Sequence, residues 1–265
     1  MSLFAFFATY NALGPVVVRS RASSQSPSST GGFREFFYSL AKGCIEEYLA
    51  LVIILLFSVI VHEIAHGLMA LKLGDPTAKE LGRLTLNPLP HIDPIGSLLV
   101  PAVSYMTAGA VFIAWAKPVP VNPANFRRLR RDDILVSVVG PLSNLIVALG
   151  CALGYILLAK AASLDTLSEG ISGTTVAFFT KMMLIGITLN IYLAVFNMIP
   201  VPPLDGSHVV ASLLPPAWGE RYRRIGFFGI LLIILLMRVD TVRTVILSIV
   251  HQLLVPYRLF IELFI

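Results

Sequence analysis

The residues best suited to chemistry are His62, Glu63 and His66, which form a His-Glu-x-x-His pattern. On an α-helix, residues four apart lie one turn apart on the same face, so both imidazoles can bind one metal ion. The carboxylate between them then faces the water held by that metal. This pattern is typical of a helical zinc site that carries its own general base.

The pattern lies inside an apolar stretch that covers residues 48–73. Such a stretch is long enough to span the hydrocarbon core of a bilayer. Ionisable side chains are costly at that depth, and those that occur there usually have a function. The sequence therefore predicts a metalloprotease whose active site lies within the membrane.

The composition indicates a polytopic membrane protein. Of the 265 residues, 56% are hydrophobic and 13% are charged, whereas a soluble domain carries about 25% charged residues. The net charge of +5 comes from basic residues in short loops between apolar segments, so no nucleic-acid partner is expected. Cys44 and Cys151 are the only cysteines, which gives no sign of a disulfide framework.

We expect an all-α polytopic membrane protein with about four to six transmembrane helices. Its apolar segments cover residues 48–73, 94–115, 134–159, about 177–198, 226–237 and 245–265. Residues 1–45 are expected to be an N-terminal anchor or tail with a Ser-rich linker, in which residues 1–18 span, are processed or form a tail. Residues 46–224 would form the catalytic core, and residues 225–265 the C-terminal apolar segments.

Basic residues flank the second apolar segment on both sides. Lys72, Lys79 and Arg83 precede it, and Lys117 and the arginines of 127–131 follow it. Since cytoplasmic loops are rich in Lys and Arg, both ends of this segment are expected on the cytoplasmic side. This predicts a re-entrant, partly extended segment near residues 94–121 that lines a water-filled cavity.

A catalytic zinc ion usually has three protein ligands, so a third is needed beside the two histidines. The candidates are Asp93, Asp205, His208, His91 and Glu262. Asp205 is favoured because prolines end the preceding helix and Gly206 permits an unusual turn beside the carboxylate. A re-entrant second segment would also make the first and fourth helices parallel, which places Asp205 and His66 towards the same side. Asp93 is better explained as a helix cap before a proline.

Further motifs accompany these residues. Gly140-Pro141-Leu142-Ser143-Asn144 and the stretch from Asn197 to Leu204-Asp205-Gly206 resemble those of the site-2 protease family of intramembrane zinc metalloproteases. Residues 73–77, 82–88 and 116–121 resemble its compact bacterial-type branch, without a PDZ or CBS domain. The resemblance covers roughly residues 48–237.

The resemblance implies that His62, His66 and Asp205 bind one Zn²⁺ per chain and that Glu63 activates water. Asn144 and Asn197 are candidates for binding the substrate backbone or the oxyanion. The implied reaction is hydrolysis of peptide bonds in or near transmembrane helices of substrate proteins, as in regulated intramembrane proteolysis. The substrate helix must unwind, and a strand from residues 109–121 could then pair with it by β-augmentation.

Two alternatives remain open at this point. A metal or proton transporter would also place histidines and carboxylates at membrane depth, but such proteins often contain internal repeats, and none is found here. An inactive homologue that only binds helices would not need all of His62, Glu63, His66 and Asp205. The expected partners are the lipid bilayer and a transmembrane substrate protein. The expected location is a bacterial-type plasma membrane with the active site nearer the cytoplasm, an organellar membrane being the alternative.

Overall fold

A computed structural model describes residues 3–5, 32–100, 102–103, 106, 113–115, 117–163, 171–226 and 228–265. Helices form the body of this part of the chain, which confirms the all-α class. They are α1 Gly32–Leu73, α2 Thr77–Glu80, α3 Leu129–Ser163, α4 Ile171–Asn197, α5 Asp205–Leu213, α6 Pro216–Arg223, α7 Phe228–Leu236 and α8 Asp240–Phe264. Short elements complete the fold: a π-helical turn at Pro94–Leu99, a 3₁₀ turn at Pro123–Asn125, and the strands β1 Leu3–Ala5 and β2 Ile113–Trp115.

Among the described residues, four helical stretches are long and apolar enough to cross a membrane. They are Ile45–Leu73, Leu129–Ala162, Gly173–Asn197 and Asp240–Phe264. The protein is therefore an integral membrane protein with several spans, within the expected number. The apolar segment 226–237 yields only the nine-residue α7, which is too short to cross. The prediction for residues 1–18 lies outside the described residues, apart from β1.

Helices α1 and α4 run parallel to each other. Glu47 forms an ion pair with Lys181, and the side-chain amide of Asn190 donates to Oγ of Ser58 at 2.8 Å. In both contacts the residue numbers rise together along the two helices, which is the signature of parallel helices. The expectation that the helices of the first and fourth apolar segments, residues 48–73 and about 177–198, share a direction is thereby confirmed.

The two ends of the second apolar segment lie next to each other. The Lys117 N–H donates to the carbonyl of His91 at 2.9 Å, and Arg83 donates from Nη2 to the carbonyl of Lys117 at 2.8 Å. A segment whose two ends are hydrogen-bonded together enters and leaves on one side, as a re-entrant segment does. Its strand β2 pairs antiparallel with β1, with Leu3 opposite Trp115.

The strand predicted at residues 109–121 is shorter in the structure. Among the described residues of that range, only Ile113–Trp115 form a strand. Non-helical backbone continues from residue 117 to residue 122, and Pro118 and Pro120 explain why no ladder forms there, since proline has no N–H to donate. Residues 107–112 lie outside the described part of the chain.

Helix α1 begins at Gly32 and is continuous to Leu73. It therefore passes without a break through residue 45, where the boundary of the N-terminal segment was predicted. That boundary, like the division at residue 225, stays a prediction. Buried apolar side chains from α1, α3, α4 and α8 form one core between the helices, including Ile54, Cys151, Leu189 and Val250.

Candidate metal centre

Two imidazoles and one carboxylate converge in the interior of the helical bundle. His62 and His66 on α1 and Asp205 at the start of α5 are all buried. The His62 Nε2 lies 3.0 Å from the His66 Nε2 and 3.0 Å from the Asp205 Oδ2, and the latter two atoms are 3.4 Å apart. With Zn–N and Zn–O bonds of about 2.0–2.1 Å in tetrahedral geometry, ligand atoms are about 3.3 Å apart. The three atoms therefore fit a single zinc ion.

Hydrogen bonds determine which nitrogen of each imidazole faces the site. The Nδ1 of His66 contacts the carbonyl of Val136 at 2.6 Å, and the Nδ1 of His62 contacts Oδ1 of Asn144 at 2.9 Å. Because a carbonyl oxygen only accepts, each Nδ1 carries the proton and each Nε2 presents a lone pair. Two nitrogen lone pairs and a carboxylate oxygen that face one another at these distances would be stabilised by a cation between them.

The ionised state of Asp205 is favoured by its neighbours. Burial opposes ionisation, but positive charge on the adjacent imidazoles of His66 and His62, or on a cation bound between them, outweighs it and holds the pKa of Asp205 below its usual range. A carboxylate must be deprotonated to bind a metal. The aspartate is therefore present in the form that a metal site needs.

Gly206 makes close packing possible beside this carboxylate. The prediction that it permits an unusual turn is wrong, because Gly206 lies within α5 and its φ is not positive. A Cβ at this position would lie 2.5 Å from the carbonyl carbon of Met198 and 2.8 Å from the carbonyl oxygen of Ile199. The glycine thus allows the start of α5 to pack against the chain that leaves α4.

Gly140 makes a second close approach possible, between α3 and the two imidazoles. A Cβ on Gly140 would lie 2.5 Å from Cε1 of His66 and 2.7 Å from Cε1 of His62. Reasoning from residue types did not single out this glycine, although the family resemblance included it. The available signal was a glycine followed by Pro141 inside a long apolar helix, a pair that weakens a helix unless packing requires it.

Glu63 is held against the re-entrant segment. Its Oε2 accepts a hydrogen bond from the Val119 N–H at 2.8 Å, while its Oε1 is buried without a hydrogen-bond partner among the described groups. Val119 was not expected to contribute. The signal was its place between Pro118 and Pro120, which leaves its N–H as an isolated donor in that stretch.

The two asparagines differ in how far their side chains are engaged. The Oδ1 of Asn144 is used by His62, and its Nδ2 is buried without a hydrogen-bond partner among the described groups. The Nδ2 of Asn197 donates to the carbonyl of Leu193, one turn earlier on α4, at 2.9 Å. Asn144 therefore orients a histidine, a role that was not predicted, and any role of either residue towards a substrate stays a prediction.

The other candidates for the third ligand lie elsewhere. The Oδ1 of Asp93 accepts from the backbone N–H groups of Ile95 and Gly96 at the start of the π-helical turn, so the cap prediction is confirmed. The ring of His91 contacts the carbonyl of Thr85 at 2.9 Å, and burial lowers the pKa of His91. His208 faces Asp133, and Glu262 is exposed on α8.

Comparison with known proteins identifies the family. Residues 123–237 match Peptidase family M50. The chain is 39% identical over 188 residues to "Putative zinc metalloprotease YwhC" of Bacillus subtilis (strain 168), which covers 70% of this chain and 78% of that protein. It is 26% identical over 182 residues to "Putative zinc metalloprotease Rip2" of Mycolicibacterium smegmatis, which covers 69% of this chain and 64% of that protein.

"Putative zinc metalloprotease Rip2" of Mycobacterium tuberculosis (strain ATCC 25618 / H37Rv) is 30% identical to the chain over 161 residues. That match covers 61% of this chain and 56% of the relative. No solved structure matches the chain. The identity to the Bacillus protein over more than three quarters of its length, together with the match to residues 123–237, shows that this integral membrane protein belongs to Peptidase family M50.

Proposed function

We propose that the protein is a zinc metalloendopeptidase that hydrolyses peptide bonds of transmembrane substrate proteins within the bilayer. The observation that carries this proposal is the approach of three ligand atoms to within 3.4 Å of one another. Beside them lies the buried Oε1 of Glu63, which has no hydrogen-bond partner among the described groups. Membership of a peptidase family and relatives named as zinc metalloproteases support it. A transporter function has no such support.

In this proposal His62, His66 and Asp205 hold one zinc ion. The bound zinc supplies a Lewis acid that activates water and polarises the scissile carbonyl. The Oε1 of Glu63 accepts the proton of the attacking water and then delivers it to the leaving amine. The Val119 N–H fixes the other oxygen of Glu63, so the carboxylate keeps one orientation through both proton transfers.

Asn144 is the best-placed group for the substrate oxyanion. Its side chain is anchored to His62 through Oδ1, which leaves the Nδ2 donor beside the ligand histidines. Hydrogen-bond donors aimed at the oxygen that gains charge contribute strongly in a buried site. The family-based suggestion for Asn197 is weaker because its Nδ2 already donates to Leu193.

We place the substrate along the re-entrant segment. A helical peptide bond is shielded by its own hydrogen bonds, so the substrate must unwind to reach the site. An unwound segment can add to a strand edge through main-chain hydrogen bonds. Since β1 occupies one edge of β2, the substrate would pair with the opposite edge of β2.

We place the active site in the cytoplasmic half of a bacterial-type plasma membrane. The metal centre lies near the end of α1, whose last turn carries Lys72, and the segments that follow carry Lys79, Arg83 and Lys117. Such clusters of basic residues are typical of cytoplasmic loops. A cavity that opens to this side would give water a route to Glu63.

The test is cleavage of a single-span substrate by the purified protein in liposomes. We expect cleavage by the wild type, and its loss both in Glu63→Gln and on addition of a zinc chelator. Glu46→Gln, which changes a glutamate far along the same helix, is the matched control and should cleave normally. Glu63→Gln should still bind zinc with the wild-type stoichiometry. Cleavage by Glu63→Gln would overturn the role of this residue, and zinc transport without cleavage would overturn the proposed function.

A further inference from the structure

One face of α3 contacts the metal centre at three successive turns. Val136, Gly140 and Asn144 follow one another at spacings of four residues, which keeps them on one side of the helix. The first and last of these accept hydrogen bonds from His66 and His62, and Gly140 packs against both imidazoles. Three residues before Val136, the same face carries a buried aspartate, Asp133.

One face of α5 contacts this face of α3. Asp205, His208 and Ser212 follow at spacings of three and four residues, so they also share a side of their helix. Ser212 donates from Oγ to Oδ2 of Asp133 at 2.7 Å, and the His208 Nδ1 lies 3.5 Å from Oδ1 of Asp133. The carboxylate of Asp133 therefore contacts one end of this face of α5. Asp205 lies at the other end, beside His62 and His66.

Arg223 completes this contact from α6. Its Nη2 lies 2.7 Å from Oδ2 of Asp133 and 3.3 Å from Oγ of Ser212. A buried carboxylate is strongly unfavourable unless it is paired and hydrogen-bonded. The arginine and the Ser212 hydroxyl provide both, so the charge of Asp133 is tolerated at this position and its geometry is defined.

Helix α5 depends on such anchors for its position. It has only nine residues, and Leu204 at its N-cap provides no side-chain hydrogen bond. A helix this short is marginal without tertiary contacts. Each residue advances an α-helix by 100° and 1.5 Å, so a small rotation or shift of α5 would move the Asp205 carboxylate away from a metal whose ligand distances vary by only about 0.2 Å.

We propose that Asp133 is a positioning residue for the third metal ligand. It fixes the rotation and axial position of α5 through Ser212 and His208, and thereby places the Asp205 carboxylate beside the two Nε2 atoms. This inference rests on the proposed role of Asp205 as a zinc ligand. Asp133 itself touches neither the metal nor the substrate in this arrangement.

The test is zinc affinity measured on the full chain in detergent by competition with a chromogenic chelator. We expect Asp133→Asn to raise the Kd for zinc by about tenfold or more, the lower range for residues that orient metal ligands. With Co²⁺ in place of zinc, the visible absorption bands should change position or intensity, because they report ligand geometry. Ser212→Ala keeps the ion pair between Asp133 and Arg223. It should change the zinc Kd and the cobalt spectrum in the same direction as Asp133→Asn, but by a smaller amount.

Glu47→Gln is the matched control. It removes one carboxylate of an interhelical ion pair with Lys181 but does not touch α5, so its zinc Kd and cobalt spectrum should equal those of the wild type even where its Tm falls.

Wild-type zinc affinity and cobalt spectra in Asp133→Asn and Ser212→Ala would overturn the proposal and leave Asp133 a purely structural residue. If Asp133→Asn does not fold, Ser212→Ala alone decides. A wild type that binds no zinc would instead overturn the proposed function, so the two failures are distinguishable.

Discussion

Gly140 on α3 packs against the imidazole of His66 so closely that a methyl group on its α-carbon would lie 2.5 Å from Cε1 of that ring. Neither partner can move away easily, because Gly140 is inside a 35-residue helix and His66 is fixed by its hydrogen bond to Val136. We therefore expect Gly140→Ala to displace the ring and to raise the Kd for zinc at least tenfold. Chelator competition on the purified protein measures this.

Gly150 provides the control on the same helix. A Cβ there would meet nothing within 4 Å, so Gly150→Ala should bind zinc as the wild type does. It should also gain up to about 1 kcal/mol of helix stability, since alanine is the better helix former. Equal zinc affinity in the two alanine variants would show that the close approach at Gly140 is not required.

Asn144 offers a test that separates its two suggested roles. Asn144→Asp keeps an oxygen that accepts the hydrogen bond from His62, whereas Asn144→Ala removes it. We expect the alanine variant to lose about 10- to 100-fold in zinc affinity, as for other residues that orient a ligand histidine. The aspartate variant should keep zinc and lose kcat, because it lacks the Nδ2 donor. Unchanged kcat in the aspartate variant would count against an oxyanion role.

The Val119 N–H can be removed without changing the carboxylate that it holds. Val119→Pro deletes the donor to Oε2 of Glu63, and Val119→Ala keeps the donor while it shortens the side chain. We expect the proline variant to retain zinc and to lose about 100-fold in kcat, since a misplacement of about 1 Å in a catalytic group has effects of this size. Zinc content and turnover of one substrate are measured for both variants. Equal turnover of the two variants would exclude a role of the Val119 N–H in holding Glu63.

Asp75 links the end of α1 to the loop before α3. The buried Asp75 carboxylate accepts hydrogen bonds from Thr77, from the Asn122 N–H and from the Asn125 side chain. Burial opposes its ionisation, but these hydrogen bonds outweigh it and hold the pKa of Asp75 below its usual range. A lowered pKa stabilises the folded state above the unfolded-state pKa of about 3.9, and this stabilisation is lost as the pH falls through the lower, folded-state pKa.

We therefore expect Asp75→Asn to lower the stability by about 1–3 kcal/mol at pH 7, where hydrogen bonds to the charged group are lost. The difference in Tm from the wild type should be constant from pH 7 to about pH 5 and should shrink below about pH 4. Thermal unfolding in detergent at several pH values measures both. Asp240→Asn, at an exposed ion pair with Arg243, should change little at any pH. A Tm difference for Asp75→Asn that stays constant down to pH 3 would contradict this account.

Several features of the fold and of the candidate site could be predicted because they depend on local pattern. The spacing of His62, Glu63 and His66 places them on one helical face whatever else the chain does. The length of the apolar segments indicated spans, and the basic residues on both sides of the second segment indicated that it returns to one side. That return also predicted the parallel α1 and α4, which supported Asp205 as the candidate third ligand.

The remaining features depend on contacts between residues far apart in the sequence. Val119 lies 56 residues from Glu63 and Asp133 lies 79 residues from Ser212, and periodicity describes only the face of one element. Gly206 was assigned to a turn because a glycine in sequence does not reveal whether it is needed for its φ or for the space that a Cβ would fill. The amino-acid sequence by itself determined which residues are candidates for a metal site and that α1 and α4 share a direction. Only the tertiary structure decided which side chains orient the histidines and hold α5 in place, because those contacts exist only once the helices pack.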